Sequence, residues 1–223
     1  MDWSPAWISL RVASCATVLS IVGGLFIAYP LARARFPGRD VVAGLTTVPL
    51  VLPPTVLGYA LLVAFGRHSV LGKTYEHITG FPLVFTWQGA VLAASVASIP
   101  LFIGHALTAF GQVDEEVIAA ARLDGARGWA IARYIIGPLA LPGLLAGASM
   151  AFARAIGEYG ATMMFAGDTP GETQTMPLAI YDAFVYSDNT TIPNVFGALS
   201  IAVAVTVCVL TSRLGAVRKS RGG

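Results

Sequence analysis

Arg154 and Glu158 interrupt a long apolar run in the tract FARAIGEYGAT. On a helix, a spacing of four puts them on one face, where a cation and a carboxylate can pair. A charge at the bilayer centre costs roughly 2.5–3.5 kcal/mol on insertion scales. Both are therefore expected to face protein or a water-filled path, not lipid. Two roles fit: the pair locks its helix against a neighbour, or Arg154 offers positive charge to a passing anion while Glu158 weakens the hold. Pro53, Pro54, Thr55 and Thr162 join them as candidates for a translocation path or for helix pairing. No Asp pair, Ser/His pair or His-Glu metal motif accompanies them, so an intramembrane enzyme lacks the converging groups it needs. His105 stands without a second ligand and reads as a satisfied polar group, not a metal site.

The most polar interior stretch is EEVIAAARLDGARGWAIARYIIGPLALP, Glu115 to Pro142. It predicts two short helices on an exposed loop spanning 111–138. Asp114 is a good N-cap, and Glu115 and Glu116 put negative charge on the first turn, where the helix dipole favours it. Ala119, Ala120 and Ala121 are strong helix formers. Gly125 ends that helix in a left-handed turn. A second helix is expected from about Gly128 to Ile136, with Trp129, Ala132, Arg133 and Ile136 on one side. Pro138 then falls near the start of the next apolar helix, where proline is tolerated.

These elements sit in a very apolar chain. Of 223 residues, 56% are hydrophobic and 12% charged, with a mean hydropathy of +0.72. Soluble domains carry about twice that charged fraction. A bilayer core of about 30 Å takes roughly 20 apolar residues per helix. One all-α polytopic unit over 1–223 is expected, with about five transmembrane helices near 10–31, 41–66, 88–110, 139–165 and 195–214. Pro49, Pro53 and Pro54 should bend the second span, with Thr46, Thr47 and Thr55 available to the freed carbonyls. Residues 67–86 read as an outer loop with one short interfacial helix, and Leu178 to Tyr186 as a short helix lying at the surface. Cys15 and Cys208 read as small buried hydrophobes. Trp3 and Trp7 suit a membrane interface, and no removable signal peptide is evident. The net charge of +2 gives no reason to expect nucleic acid.

Arginine and lysine orient the chain. Arg33, Arg35 and Arg39 flank the first loop; Arg122, Arg127 and Arg133 lie in the central loop; Arg213, Arg218, Lys219 and Arg221 lie in or near the tail. The opposite-side loops carry Arg67 and Lys73. The positive-inside rule then puts the N-terminus outside and the C-terminus in the cytoplasm.

The central block resembles the cytoplasmic "EAA" loop of permease subunits in binding-protein-dependent ABC importers, a motif of Glu-Ala-Ala, three residues, Gly, nine residues, then Ile-x-Leu-Pro. Ala120, Ala121, Gly125, Ile135 and Pro138 match it. Ala119 stands where the motif has glutamate and Gly137 where it has leucine, with Glu115 and Glu116 one turn upstream. The tracts VPLVLPPTVLGYALL, AFARAIGEYGATMMFAG and PGETQTMPLAIY are similar to the permease subunit of molybdate ABC importers, across about residues 8–214.

That resemblance implies a MetI-like permease fold, a homodimer in the cytoplasmic (inner) membrane, two cytoplasmic ATPase subunits that bind ATP and Mg, and an extracytoplasmic oxyanion-binding protein. It implies import of molybdate, with tungstate and sulfate as alternatives. This chain has no G-x-x-x-x-G-K-[ST] loop, so ATP hydrolysis must come from a partner. Glu115, Glu116, Ala120, Ala121, Gly125, Ile135 and Pro138 are the expected coupling residues. Val117, Ile118 and Ala121 are expected to be the face packed on the ATPase. A channel without an ATPase would have no use for such a loop.

Overall fold

The computed structural model describes residues 2–34, 36–187 and 190–220, with side chains as far as Arg213. Arg35 and Arg221 fall outside the described residues, as do the side chains of Arg218 and Lys219. The described secondary structure is all helical: α1 Ser4–Arg33, α2 Arg39–Val51, α3 Pro54–Phe65, α4 Val70–Thr79, α5 Trp87–Gly111, α6 Glu115–Leu123, α7 Gly128–Ile131, a π-helical turn Ala132–Ile136, α8 Gly137–Ile156, α9 Gly160–Ala166, α10 Met176–Tyr186 and α11 Thr191–Ser220.

Helix α5 is the hub, packed on α1 along one side and α8 along another. The α1 contact follows from small residues at helical spacing. Ser9, Ala13, Ala16, Ser20, Gly24 and Ala28 are buried in one stripe, which lets the backbones approach closely. A Cβ on Gly24 would collide with the Phe102 ring. The Ser20 and Ser98 hydroxyls meet at 2.9 Å across the same seam. In hydrocarbon such packing and hydrogen bonding replace the hydrophobic drive that assembles soluble bundles.

Among the described residues, four helices are long and apolar enough to cross a membrane: Ser4–Arg33, Trp87–Gly111, Gly128–Ile156 and Thr191–Arg213. A fifth span arises if α2 and α3 count as one, but they meet at 110°. The expected bend at 41–66 is thus a full break at Leu52–Pro53. Prolines 53 and 54 supply no N–H to continue the ladder. The Thr46 and Thr47 hydroxyls donate to Ala43 and Gly44, three residues back, not to the Leu45 carbonyl that Pro49 leaves without its usual partner.

Three further readings need correction. The fourth span, expected at 139–165, is a helix running unbroken from Gly128 to Ile156, then a gap at Gly157–Tyr159, then α9. The second loop helix is therefore the first turns of that span, and Pro138 lies within a continuous helix. Trp129, Ala132, Arg133 and Ile136 do not share a face: Trp129 and Arg133 are exposed, while Ile131 and Ile136 are buried. The π turn explains the pattern. The Gly137 N–H bonds to the Ala132 carbonyl, five residues back, so residues five apart stack. Last, Cys208 is exposed and Cys15 half-buried, and both are free thiols.

The short outer helix expected within 67–86 is α4, capped by Ser69, whose hydroxyl accepts from the Gly72 N–H at 2.9 Å. Helix α10 does not merely lie on the surface. It buries Met176, Leu178, Ala179 and Ala183 against α1 and α11, and its first N–H bonds to the buried Ser9 hydroxyl at 2.7 Å.

Candidate functional site

The polar loop is built by local rules. The Asp114 carboxylate accepts from the Glu116 N–H at 2.9 Å and starts α6. The helix ends in a Schellman turn: the Gly125 N–H bonds to Arg122 and the Ala126 N–H to Ala121. Gly125 carries the positive φ, +88°, that this turn requires. Ala121 and Ala126 both pack against one buried cluster, the apolar contact that usually accompanies the motif.

That cluster corrects the expected docking face. Ile118 is 2% exposed and sits among Phe110, Val113, Ile131 and Ile136, inside this chain. Ala121 leans on the same group. The outward side of the loop is instead Val117, Ala119, Ala120, Leu123 and Trp129, with Leu123 89% and Trp129 78% exposed. Ile135 is half-buried and Pro138 exposed on the continuing helix.

Arg33, read from sequence only as an orienting charge, proves to be a structural tie. From the last turn of α1 it donates to Glu115 at 2.7 Å and to the Phe110 carbonyl at 2.8 Å. It joins three elements: the end of α1, the end of α5 and the start of α6. Glu115 is 77% exposed, so the ion pair itself contributes at most about 1 kcal/mol. Its effect is to fix where the loop sits. Glu116 is exposed, with its side chain free of any described bond.

The second constellation lies where the two helix breaks meet. Arg154 and Glu158 do pair, Nη1 to Oε2 at 2.5 Å, but not as neighbours on one helix. α8 ends at Ile156 and Gly157 caps it, so Glu158 stands in the gap. Its other oxygen, Oε1, accepts from the Ala161 N–H at 2.8 Å and caps α9. Glu158 is 2% exposed, and both carboxylate oxygens are engaged, as a buried charge requires.

A cavity of about 380 Å³ opens beside the pair, lined by Pro54, Thr55, Arg154, Gly157, Glu158, Tyr159 and Gly160. The structure thus brings Pro54, Thr55, Arg154 and Glu158 together. Pro53 is adjacent as the N-cap of α3, and Thr162 is buried in α9 behind the cavity. Close approach of α3 and α9 holds the two breaks in register. A Cβ on Gly160 would come within 2.7 Å of the Pro54 Cβ, and one on Gly58 within 2.9 Å of the Ala161 carbonyl oxygen. Gly160 of GEYGAT and Gly58 are the residues in the sequence that foreshadow this contact.

At the cavity's edge, Tyr159 packs on Tyr181 with ring centroids 5.5 Å apart. Gln174 donates to Asp182 at 2.9 Å. Burial, followed by the charge and hydrogen bond of neighbouring Asp182, pushes the Asp168 carboxyl up to about 6. None of these was singled out from the sequence, where isolated Asp and Tyr residues in a loop carry no pattern. His105 is a satisfied polar group, as expected: its Nδ1 lies 2.8 Å from the Leu101 carbonyl. Among the described residues no cluster of His, Cys, Asp and Glu suits a metal.

Comparison with known proteins adds the following. The profile of the family described as "Binding-protein-dependent transport system inner membrane component" matches residues 20–217. The "Molybdenum transport system permease protein ModB" of Escherichia coli K12 is 38% identical over 222 residues, covering 100% of this chain and 97% of that protein. The protein of the same name from Haemophilus influenzae is 41% identical over 181 residues, covering 81% and 79%. A solved structure titled "Inward facing conformations of the MetNI methionine ABC transporter" superposes with a TM-score of 0.71 at 18% identity, over 97% of this chain and 94% of that one. At that identity it bears on fold alone, and the fold agrees.

Proposed function

The chain belongs to the family of binding-protein-dependent transport system inner membrane components, and from that premise we propose that it is the permease subunit through which an ATP-driven importer carries molybdate into the cytoplasm. Membrane subunits of this family are non-catalytic, and nucleotide is bound by a separate ATPase. The molybdate assignment rests on the names and high coverage of the relatives.

The observation that carries the reading is the polar loop. It offers exposed apolar side chains, Val117 and Leu123 beside Ala119 and Ala120 on α6 and Trp129 on α7, in a loop fastened to the membrane bundle at two points. One point is the Arg33 bridge to α1 and α5. The other is the unbroken helix Gly128–Ile156, which leaves the Gly125 turn and ends at the Arg154 cavity. At a rise of roughly 1.5 Å per step, the 26 steps from Gly128 to Arg154 span about 39 Å. When an ATPase seated on α6 closes, a rigid lever of that length carries the movement to the cavity. Glu115 acts within the chain, holding α6 to Arg33. Ala120, Gly125, Ile135 and Pro138 shape the loop and the lever's root.

A second copy completes the unit. Helix α2 buries none of its residues in the single chain, and it carries Val41, Leu45, Val48 and Val51 outward. Lipid or a second permease covers them, and a twofold partner leaves the path between the two copies. The polar loop and the tail face the cytoplasm, with the N-terminus outside.

Co-expression with the cognate ATPase and binding protein tests the reading. The tagged chain should retain the ATPase, and molybdate-loaded binding protein should stimulate hydrolysis more than the empty protein does. Failure to retain the ATPase in membranes where the chain is inserted would overturn it.

A further inference from the structure

The geometry points to a transient oxyanion station inside the permease: Arg154 holds a tetrahedral dianion in the cavity at the paired helix breaks, and Glu158 is the positioning residue that aims Arg154 and keeps the hold weak. The inference rests on the import reading and adds the place where the anion pauses within this chain.

Donor supply comes first. A guanidinium has five N–H donors in a planar fork. Nη1 of Arg154 goes to Oε2 of Glu158, and among the described residues no other partner takes the remaining donors. The side chain is 29% exposed and lines the cavity, so its free N–H groups face that space. The Thr55 hydroxyl is on the same wall. Unlike Thr46, Thr47 and Thr108, it has no described bond to a carbonyl of its own helix and is available to donate. Helix α3 begins at Pro54 without a side-chain cap, so the amide N–H of cavity-lining Thr55 has no partner within the helix and adds to the same supply.

Size agrees with this use. A cavity of about 380 Å³ holds roughly a dozen waters at about 30 Å³ each, so a tetrahedral oxyanion enters with part of its hydration intact.

A second cavity makes the contrast. About 640 Å³ in volume, it is lined by Thr47, His105, Thr108, Thr211 and apolar residues. There the hydroxyls of Thr47, Thr108 and Thr211 donate to carbonyls of their own helices. His105 turns Nδ1 to the Leu101 carbonyl. That cavity presents lone pairs and no fixed cation, which suits water and not a dianion. The Arg154 cavity has the opposite polarity.

Glu158 explains why the hold is brief. A path must bind well enough to admit its ion and weakly enough to release it. The carboxylate cannot swing away, because Oε1 is fixed on the Ala161 N–H. Its charge stays beside the anion, offsetting part of the attraction of Arg154. Glu158 also couples the station to α9: movement of α9 moves the carboxylate, and the carboxylate moves Arg154.

The test uses the assembled permease and ATPase in lipid nanodiscs, without binding protein, and radiolabelled molybdate as probe, with sulfate as competitor. Wild-type assembly should bind molybdate saturably and weakly. Glu158→Gln keeps an oxygen for the Ala161 N–H and removes the charge. It should tighten binding at least tenfold and lower both KM and maximal rate of uptake. Arg154→Gln should abolish nanodisc binding, and Arg154→Lys should retain part of it, since the point charge survives without the planar fork. The station is overturned if Glu158→Gln and Arg154→Lys both bind and transport as wild type. It is equally overturned if Arg154→Gln with Glu158→Gln restores wild-type uptake, the mark of a purely structural pair. In either event the ATPase would still be retained and stimulated by loaded binding protein, so the import reading would stand. Loss of that retention in the wild type would instead defeat the import reading.

Discussion

Gly125 allows conformation and contact to be separated. Its φ is +88°, and a Cβ built on it meets nothing within 4 Å in this chain. An L-residue in that left-handed region costs about 1–2 kcal/mol. Because nothing crowds a Cβ there, the shared backbone penalty is the part that alanine and leucine have in common. Either lowers the population of the closed Schellman turn by roughly 5–30-fold relative to its open forms. Asparagine tolerates the region far better. The readouts are exchange of the Ala126 amide, which is bonded to Ala121 in the closed turn, and ATPase stimulation by loaded binding protein. Gly125→Asn should stay near wild type in both. Gly125→Ala and Gly125→Leu should lose amide protection equally. Any further loss of stimulation in Gly125→Leu then measures how closely the ATPase approaches. Wild-type protection and stimulation in Gly125→Ala would refute the role given to the turn.

Other perturbations follow from the same geometry. Gly58→Ala drives a methyl to 2.6 Å from the Met164 Cβ and 2.9 Å from the Ala161 oxygen, so SDS titration should register a loss of about 1–3 kcal/mol. Gly104→Ala has open space and should gain about 0.5–1 kcal/mol by helix propensity; equal behaviour of the two would remove the α3–α9 contact from the account. Asp168, with its pKa raised from 3.8 to about 6, contributes stability that is full below 3.8 and lost as pH rises through about 6. The thermal midpoint should therefore fall over that window in wild type and flatten in Asp168→Asn; an unchanged slope in the variant would assign the dependence elsewhere. In a chain with Cys15 and Cys208 replaced, an impermeant thiol reagent outside intact cells should label Ser187→Cys and not Ala126→Cys, and the reverse pattern would invert the orientation.

Local chemistry was the legible part of the sequence. Asp114 and Gly125 announced their turns because capping and positive φ are decided by one or two residues. The first and third spans were legible because each is one long hydropathic run that folds as a single helix. What escaped was of another kind. A run of apolar residues looks the same whether its helix continues or stops, so the gap at Gly157–Tyr159 was hidden inside one span. Arg154 and Glu158 were paired on the assumption of a shared helix. They do meet, but by a carboxylate reaching back across a helix end while capping the next helix. The outward face of α6 is not legible locally, because burial of Ile118 depends on Phe110, Ile131 and Ile136, which neighbour it only after folding. The π turn that brings Ile131 and Ile136 onto one side breaks the period on which face assignments rest. Arg33 was read for its charge, while its role lies in the two acceptors that the fold places before it.

Uptake by proteoliposomes is the most direct test of the account. The chain would be reconstituted with its ATPase, with ATP supplied on the ATPase side and molybdate-loaded binding protein on the other. The account predicts molybdate accumulation that requires ATP, the ATPase and the binding protein together, with no flux through the permease alone. Molybdate passing down its gradient through the permease without ATP, or no accumulation by a fully assembled complex that hydrolyses ATP, would contradict it.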